Sequence, residues 1–109
     1  MAATIYEIDK YRMYHYNVDF ISRNKIVCII VCYKGNTMKG KLRFYEEGAV
    51  VPPSYKSDAG NLFLMFREKH LSDMLETLRQ EKPLYIWYSD QYNLGRLQTF
   101  MEPVGEEES

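Results

Sequence analysis

Residues 67–101, REKHLSDMLETLRQEKPLYIWYSDQYNLGRLQTFM, decide the fold. Leu71, Met74, Leu75 and Leu78 recur at helical spacing, while Arg67, Lys69, Asp73, Glu76, Thr77 and Gln80 take the other faces. The pattern predicts a helix over about 69–81 with one apolar stripe laid on a core. Pro83 cannot continue that helix and biases Lys82 toward extended backbone, and Arg79 and Lys82 put positive charge near its carbonyl end. His70 and Ser72 are both candidate caps, and neither has Glu or Gln three residues on. Fully buried, the four apolar side chains contribute roughly 6–12 kcal/mol before entropy is subtracted, so a polar group at Leu75 or Leu78 is expected to be severely destabilising. After Pro83 the run 84–88 reads as a strand with two apolar faces, 89–93 as a turn and 94–101 as the returning partner strand.

Working outward, residues 61–66 form a short strand that leads into the helix. Residues 47–60 break every periodicity with Gly48, Pro52, Pro53, Ser54 and Gly60, which predicts a long loop with a short edge segment at 49–51. Such a loop in a compact domain is often mobile or functional, and Tyr55 and Lys56 sit near its middle. Before it, residues 37–46 alternate cleanly: Met38, Gly40, Leu42 and Phe44 face a core, and Lys39, Lys41 and Arg43 form a basic stripe on the other side. Lys34, Gly35 and Asn36 make the preceding turn, with a glycine suited to positive φ. Residues 25–33 are apolar on both faces, which predicts a central strand covered on each side.

The N-terminal third alternates aromatic and β-branched residues with polar ones over 3–8 and 11–20, as a long strand or a bent pair broken near Asp9 and Lys10. Arg12, Tyr14, Tyr16, Val18 and Phe20 share one side; Tyr11, Met13, His15, Asn17 and Asp19 share the other. Ser22, Arg23 and Asn24 read as a turn. The expected domain is a single unit over 1–105, with residues 106–109 an acidic, solvated tail.

At 109 residues, 46% hydrophobic and 27% charged, the chain is long enough to bury a core without staples and is globular in composition. A formal net charge of -1 gives no global attraction to nucleic acid or an acidic membrane, so any such binding needs a local patch. Cys28 and Cys32 fall on one face of the same strand at about 13 Å, too far for a disulfide, and are expected as reduced core residues in a reducing, cytoplasmic compartment. No signal peptide is expected, and no apolar run is long enough to span a bilayer.

These elements imply an α+β chain: a curled antiparallel sheet or small barrel of 5–6 strands, with a single helix before the last two strands. One helix cannot cover a flat sheet of this size, so the sheet must curl over itself. The order resembles the oligonucleotide/oligosaccharide-binding (OB) barrel, which implies a helix between the third and fourth barrel strands. In element order alone it is also similar to the B subunits of secreted enterotoxins, from which the expected lack of a signal peptide and a disulfide sets it apart. An open antiparallel sheet with the helix on one face is the other architecture. Residues 78–85, LRQEKPLY, followed by Thr99 and by Glu102, Pro103, Val104, Gly105 and Glu106, resemble a C-terminal signature of small uncharacterised bacterial proteins. That resemblance implies a bacterial or phage setting and carries neither function nor site residues.

Two surfaces are candidate sites. Lys39, Lys41 and Arg43, with Tyr55 and Lys56, would track phosphates while bases stack on nearby tyrosines; the competing reading is a strand face kept soluble by lysines. Ten tyrosines suit interfaces, and Tyr11, Tyr14, Tyr16, Trp87 and Tyr92 are the candidate contact residues with a second copy or another protein. His15 and His70 lack zinc spacing with each other or with the cysteines, so no metal or other cofactor is expected. Neither His70 with Asp73 nor Glu46 with Glu47 comes with a nucleophile or a phosphate loop, and adjacent carboxylates on a strand point to opposite faces. The sequence therefore favours a non-enzymatic binding or assembly module that forms a homo-oligomer through aromatic strand surfaces. Single-stranded nucleic-acid binding on the basic face is the alternative, and membrane association is not expected.

Overall fold

A computed structural model describes residues 3–16 and 25–99. The turn expected at 22–24, the residues Asn17, Val18, Asp19 and Phe20, and the C-terminal stretch with Glu102–Glu106 and the acidic tail lie outside the described residues.

The described chain is α+β. A first sheet holds β1 (Ala3–Ile8), β7 (Leu84–Ser89) and β8 (Leu94–Thr99), in the order β1-β7-β8. A second holds β2 (Lys10–His15), β3 (Ile26–Lys34), β4 (Thr37–Tyr45), β5 (Tyr55–Lys56) and β6 (Leu62–Arg67), in the order β2-β3-β4-β6-β5. The expected break falls at Asp9, which divides the N-terminal strand between the two sheets. Its geometry is fixed locally: the Asp9 amide donates to the Tyr33 carbonyl (2.8 Å), and its carboxylate accepts from the Gly35 amide (3.0 Å). The Lys34 ammonium lies 3.3 Å from Glu7 and 3.9 Å from Asp9, which ties the same turn to both sides of the bend. Gly35, at φ 62°, supplies the left-handed residue that this turn requires.

The two sheets face one another, and neither closes into a barrel. Between them lie Ile8, Cys28, Ile30, Cys32, Leu42, Phe44, Leu62, Leu64, Leu84, Ile86 and Tyr88, all buried. Glycines set the approach of the layers. A Cβ at Gly40 would overlap the Leu62 carbonyl oxygen and come within 2.9 Å of the Ile86 side chain, and one at Gly95 would overlap the Leu64 side chain. β7 thus crosses over β4, and β8 over β6.

The expectation of an all-antiparallel sheet is corrected at β4 and β6, which pair in parallel from Gly40 with Leu62 to Tyr45 with Arg67. Parallel neighbours need a crossover of a dozen or more residues, so the long segment 46–61 is the return path that this pairing demands. The short strand within it is Tyr55–Lys56, paired with β6, and not the expected 49–51. The crossover is tied down along its length. Arg67 donates to the Ala49 carbonyl (2.7 Å), the Met65 amide donates to the Ser54 hydroxyl (3.0 Å), and the Lys69 amide donates to the Glu47 carboxylate (3.0 Å).

That last bond resolves the ambiguous helix start. A 3-10 turn at Glu68–His70 leads into α1 (Leu71–Gln80), neither segment has a side-chain cap from its own N-cap residue, and the exposed amide of Lys69 is met by Glu47 from the crossover. The helix ends at Glu81, whose backbone is extended (φ -111°, ψ 146°), as the approach to Pro83 favours. α1 plugs the open end of the core near the β1–β2 bend. Only Leu78 of the apolar stripe is buried; Leu71, Met74 and Leu75 are half-buried against the core. The expected 6–12 kcal/mol is accordingly an upper limit, and the severe penalty for a polar group belongs to Leu78 more than to Leu75.

Candidate functional site

β4 presents Lys39, Lys41 and Arg43 on its outer face, because alternation sends Gly40, Leu42 and Phe44 into the core. The parallel register sets Lys41 beside Phe63 and Arg43 beside Met65, and β5 sets Tyr55 beside Phe63. The result is a layered contact: the Tyr55 ring stacks on Phe63 at 5.0 Å with 9° between planes, and the Arg43 guanidinium lies 4.9 Å from the Phe63 centroid. Ile29, Arg43, Tyr45, Pro53, Tyr55 and Met65 line an open cleft of about 580 Å³ at this place. Its one cation is incompletely satisfied, since Arg43 Nε is buried without a hydrogen-bond partner. Beside it the Tyr45 hydroxyl donates to Met65 Sδ (3.7 Å), and burial pushes that phenol above its ordinary pKa despite the opposing effect of Arg43.

The expected basic cluster is only partly assembled. Lys41, Arg43 and Tyr55 share this face, whereas Lys39 bends over the Tyr6 ring, 4.9 Å from its centroid. Lys56 follows Tyr55 on a strand and so points to the other side, where its ammonium donates to the Thr4 hydroxyl (3.2 Å). Tyr45 and the two prolines of the crossover complete the cleft, and Phe63 supports it from beneath Tyr55 and Arg43. Tyr45 is among the tyrosines that the sequence places near the basic stripe; Phe63 was missed, because both faces of 61–66 are apolar and nothing local says which one turns outward.

The aromatic contact residues separate into two places. On β2, Tyr14 is 44% exposed and Tyr11 is half-buried on the core-facing side, and Tyr16, just past the strand's end, is half-buried. The Tyr14 hydroxyl beside Arg12 pushes the already high Arg12 pKa further up. On the first sheet, Trp87 is half-buried beneath the Arg96 guanidinium at 3.9 Å, its cross-strand neighbour Ile5 is 49% exposed, and Tyr92 in the β7–β8 turn is 69% exposed.

A larger cleft of about 680 Å³ lies between the β1–β2 bend and the end of α1, floored by Ile8, Tyr11, Leu78 and Leu84. Its rim carries Glu7, Asp9 and Glu81 against Lys10, Arg79 and Lys82, so it selects neither sign of ion. Of the carboxylates weighed for catalysis, Glu47 is engaged at the helix entry. Among the described residues no group of His, Cys, Asp and Glu could hold a metal ion, and no helix is long and apolar enough to cross a membrane. Cys28 and Cys32 are free and fully buried, and burial pushes their thiols up to about 11 and about 12. Compared with protein-family models, curated proteins and solved structures, the chain matches none.

Proposed function

We propose that the chain is a non-enzymatic binding or assembly module that associates with itself through its aromatic strand surfaces. The observation that carries this reading is uncovered apolar area on strands: Ile5 and Leu94 on the outer face of the first sheet, and Met13 and Tyr14 on β2, are large, exposed and supported by rigid ladders. Surfaces of this kind mark contact sites when they are contiguous. Two free, buried thiols support a reducing, cytoplasmic setting. The element order and the N-terminal strand shared by both sheets support reading the fold as an open relative of the OB barrel.

A second reading, single-stranded nucleic-acid binding, is favoured by Arg43, Lys41 and the exposed ring of Tyr55 on one face. It is the weaker of the two. With Lys39 and Lys56 turned elsewhere, two cations remain to follow a phosphate backbone.

Size-exclusion chromatography with light scattering, read at 260 and 280 nm on protein purified at low salt, separates them. The expected result is a discrete oligomer free of nucleic acid. A monomer at every concentration overturns the assembly reading, and a monomer with salt-removable 260 nm absorbance replaces it with the second.

A further inference from the structure

We infer that β2 pairs antiparallel with β2 of a second copy, about a two-fold axis at Met13. The inference rests on the assembly reading and names its interface. β2 ends its sheet, and among the described residues no strand pairs with its other edge. Tyr11, Met13 and His15 lie opposite Cys32, Ile30 and Cys28 and therefore stand on the core-facing side. Yet Met13 is 36% exposed and His15 is exposed, whereas their partners on β3 are fully buried. The core row ends uncovered at this edge.

The ladder determines what the edge offers. The Tyr16 amide donates to the Val27 carbonyl directly opposite (3.1 Å), which makes this a hydrogen-bonded pair and places Tyr14, Arg12 and Lys10 in the same phase. The main-chain groups of Tyr11, Met13 and His15 accordingly point away from β3, toward the free edge. A two-fold antiparallel partner must match outward groups with outward groups, so each permitted axis passes through a residue and none passes between two.

Among those registers, an axis at Met13 overlaps all of 10–16 and forms about six main-chain hydrogen bonds, from Met13 with its own copy and Tyr11 with His15 on each side. It also sets Arg12 against Tyr14 and Lys10 against Tyr16, so every cation meets an aromatic ring. An axis at Arg12 would oppose the two arginines, and one at Tyr14 would leave Lys10 and Tyr11 outside the overlap of residues 12–16. The cations that guard this edge against indiscriminate pairing thus select one register. Because such an axis is perpendicular to the sheet, both core faces lie on the same side and the two Met13 side chains extend the Ile30 rows into one another.

Two substitutions of Met13 test the register. Met13→Pro removes an amide that bonds to no strand among the described residues, so the melting temperature should stay near that of the parent while the dimer dissociation constant rises roughly 10- to 100-fold. Met13→Cys places two thiols on the axis at about 5.5 Å between Cα atoms, within disulfide reach, and mild oxidation should yield a covalent dimer. Arg12→Cys, about 8 Å from its own copy in this register, should not cross-link. The native thiols are buried and do not compete. An oligomer that survives Met13→Pro, or that cross-links through Arg12→Cys and not through Met13→Cys, overturns the register and leaves the assembly reading standing. A parent protein that is monomeric throughout overturns both.

Discussion

Gly40→Ala tests whether the approach of the two sheets is set where the coordinates put it. A Cβ at Gly40 would overlap the Leu62 carbonyl oxygen, which belongs to the β6 backbone and is held in the parallel ladder, and would press within 2.9 Å of Ile86 Cδ1 from the opposite sheet. Relief requires β4 and β6 to part locally. Disturbing one or two ladder hydrogen bonds costs about 0.5–1.5 kcal/mol each, and overpacking the interface adds about 1–3 kcal/mol, giving roughly 1.5–6 kcal/mol. Gly95→Ala is the internal comparison, because the atoms nearest its added methyl all belong to the Leu64 side chain, a group that can change rotamer. It should stay within the overpacking range of about 1–3 kcal/mol. At about 4–8 °C per kcal/mol for a domain near this size, thermal denaturation should place Gly40→Ala about 6–48 °C below the parent, and Gly95→Ala between them. The reasoning fails if Gly40→Ala melts within a few degrees of the parent, or if Gly95→Ala is the more damaging change.

Glu47→Ala removes the carboxylate that receives the Lys69 amide; stability should fall by about 0.5–2 kcal/mol in urea titration, with the far-ultraviolet spectrum of the native state retained. The two thiols predict a pH dependence. Folded values of about 11 and about 12 lie above the ordinary thiol value of 9.0, so the folded state holds its protons where the unfolded chain releases them. Their contribution is complete below pH 9 and declines as pH rises toward 11–12, with a slope of up to about 1.4 kcal/mol per pH unit for each thiol. Cys32→Ala should flatten the decline, and a thiol reagent at pH 8 should label neither cysteine until denaturant is added.

The helix, its stop before Pro83, the closing hairpin and the break at Asp9 were legible because each rests on local chemistry: a period of 3.6, a ring that cannot donate, a turn, a change of face. The direction of the β4–β6 pair was not, because Leu62, Phe63 and Leu64 carry no mark of whether their neighbour runs with or against them. The crossover 46–61 read as a loop for the same reason; its ties depend on Arg67, Ser54 and Glu47 meeting partners 11 to 22 positions away. Of the candidate basic surface, the alternation of Lys39, Lys41 and Arg43 was visible in the sequence. Their destinations were not, since Lys39 follows Tyr6 and Arg43 follows Phe63, residues placed by pairing with distant strands.

Those destinations connect the candidate surfaces. A ten-residue helix closes one end of the core, and among the described residues no layer covers the outer faces of the two sheets. Arg43 over Phe63 and Arg96 over Trp87 take the place of a layer on these faces, and Lys39 caps Tyr6, which packs against the core; all three lie within 5 Å of the ring centroids. Each such contact is worth about 0.5–1 kcal/mol at an exposed site and shields one ring, while the aliphatic stem of the same side chain covers its apolar neighbours. A cation engaged in this way is less free to neutralise a phosphate, which weakens the nucleic-acid reading of the basic stripe. β2 is different. Its arginine meets the Tyr14 hydroxyl rather than capping a ring, and Met13, which continues the core row, stays open on the core-facing side. Where the chain covers its own aromatic faces it does so with its own cations; at β2 the matching layer, with rings placed opposite Lys10 and Arg12, is available from a second copy.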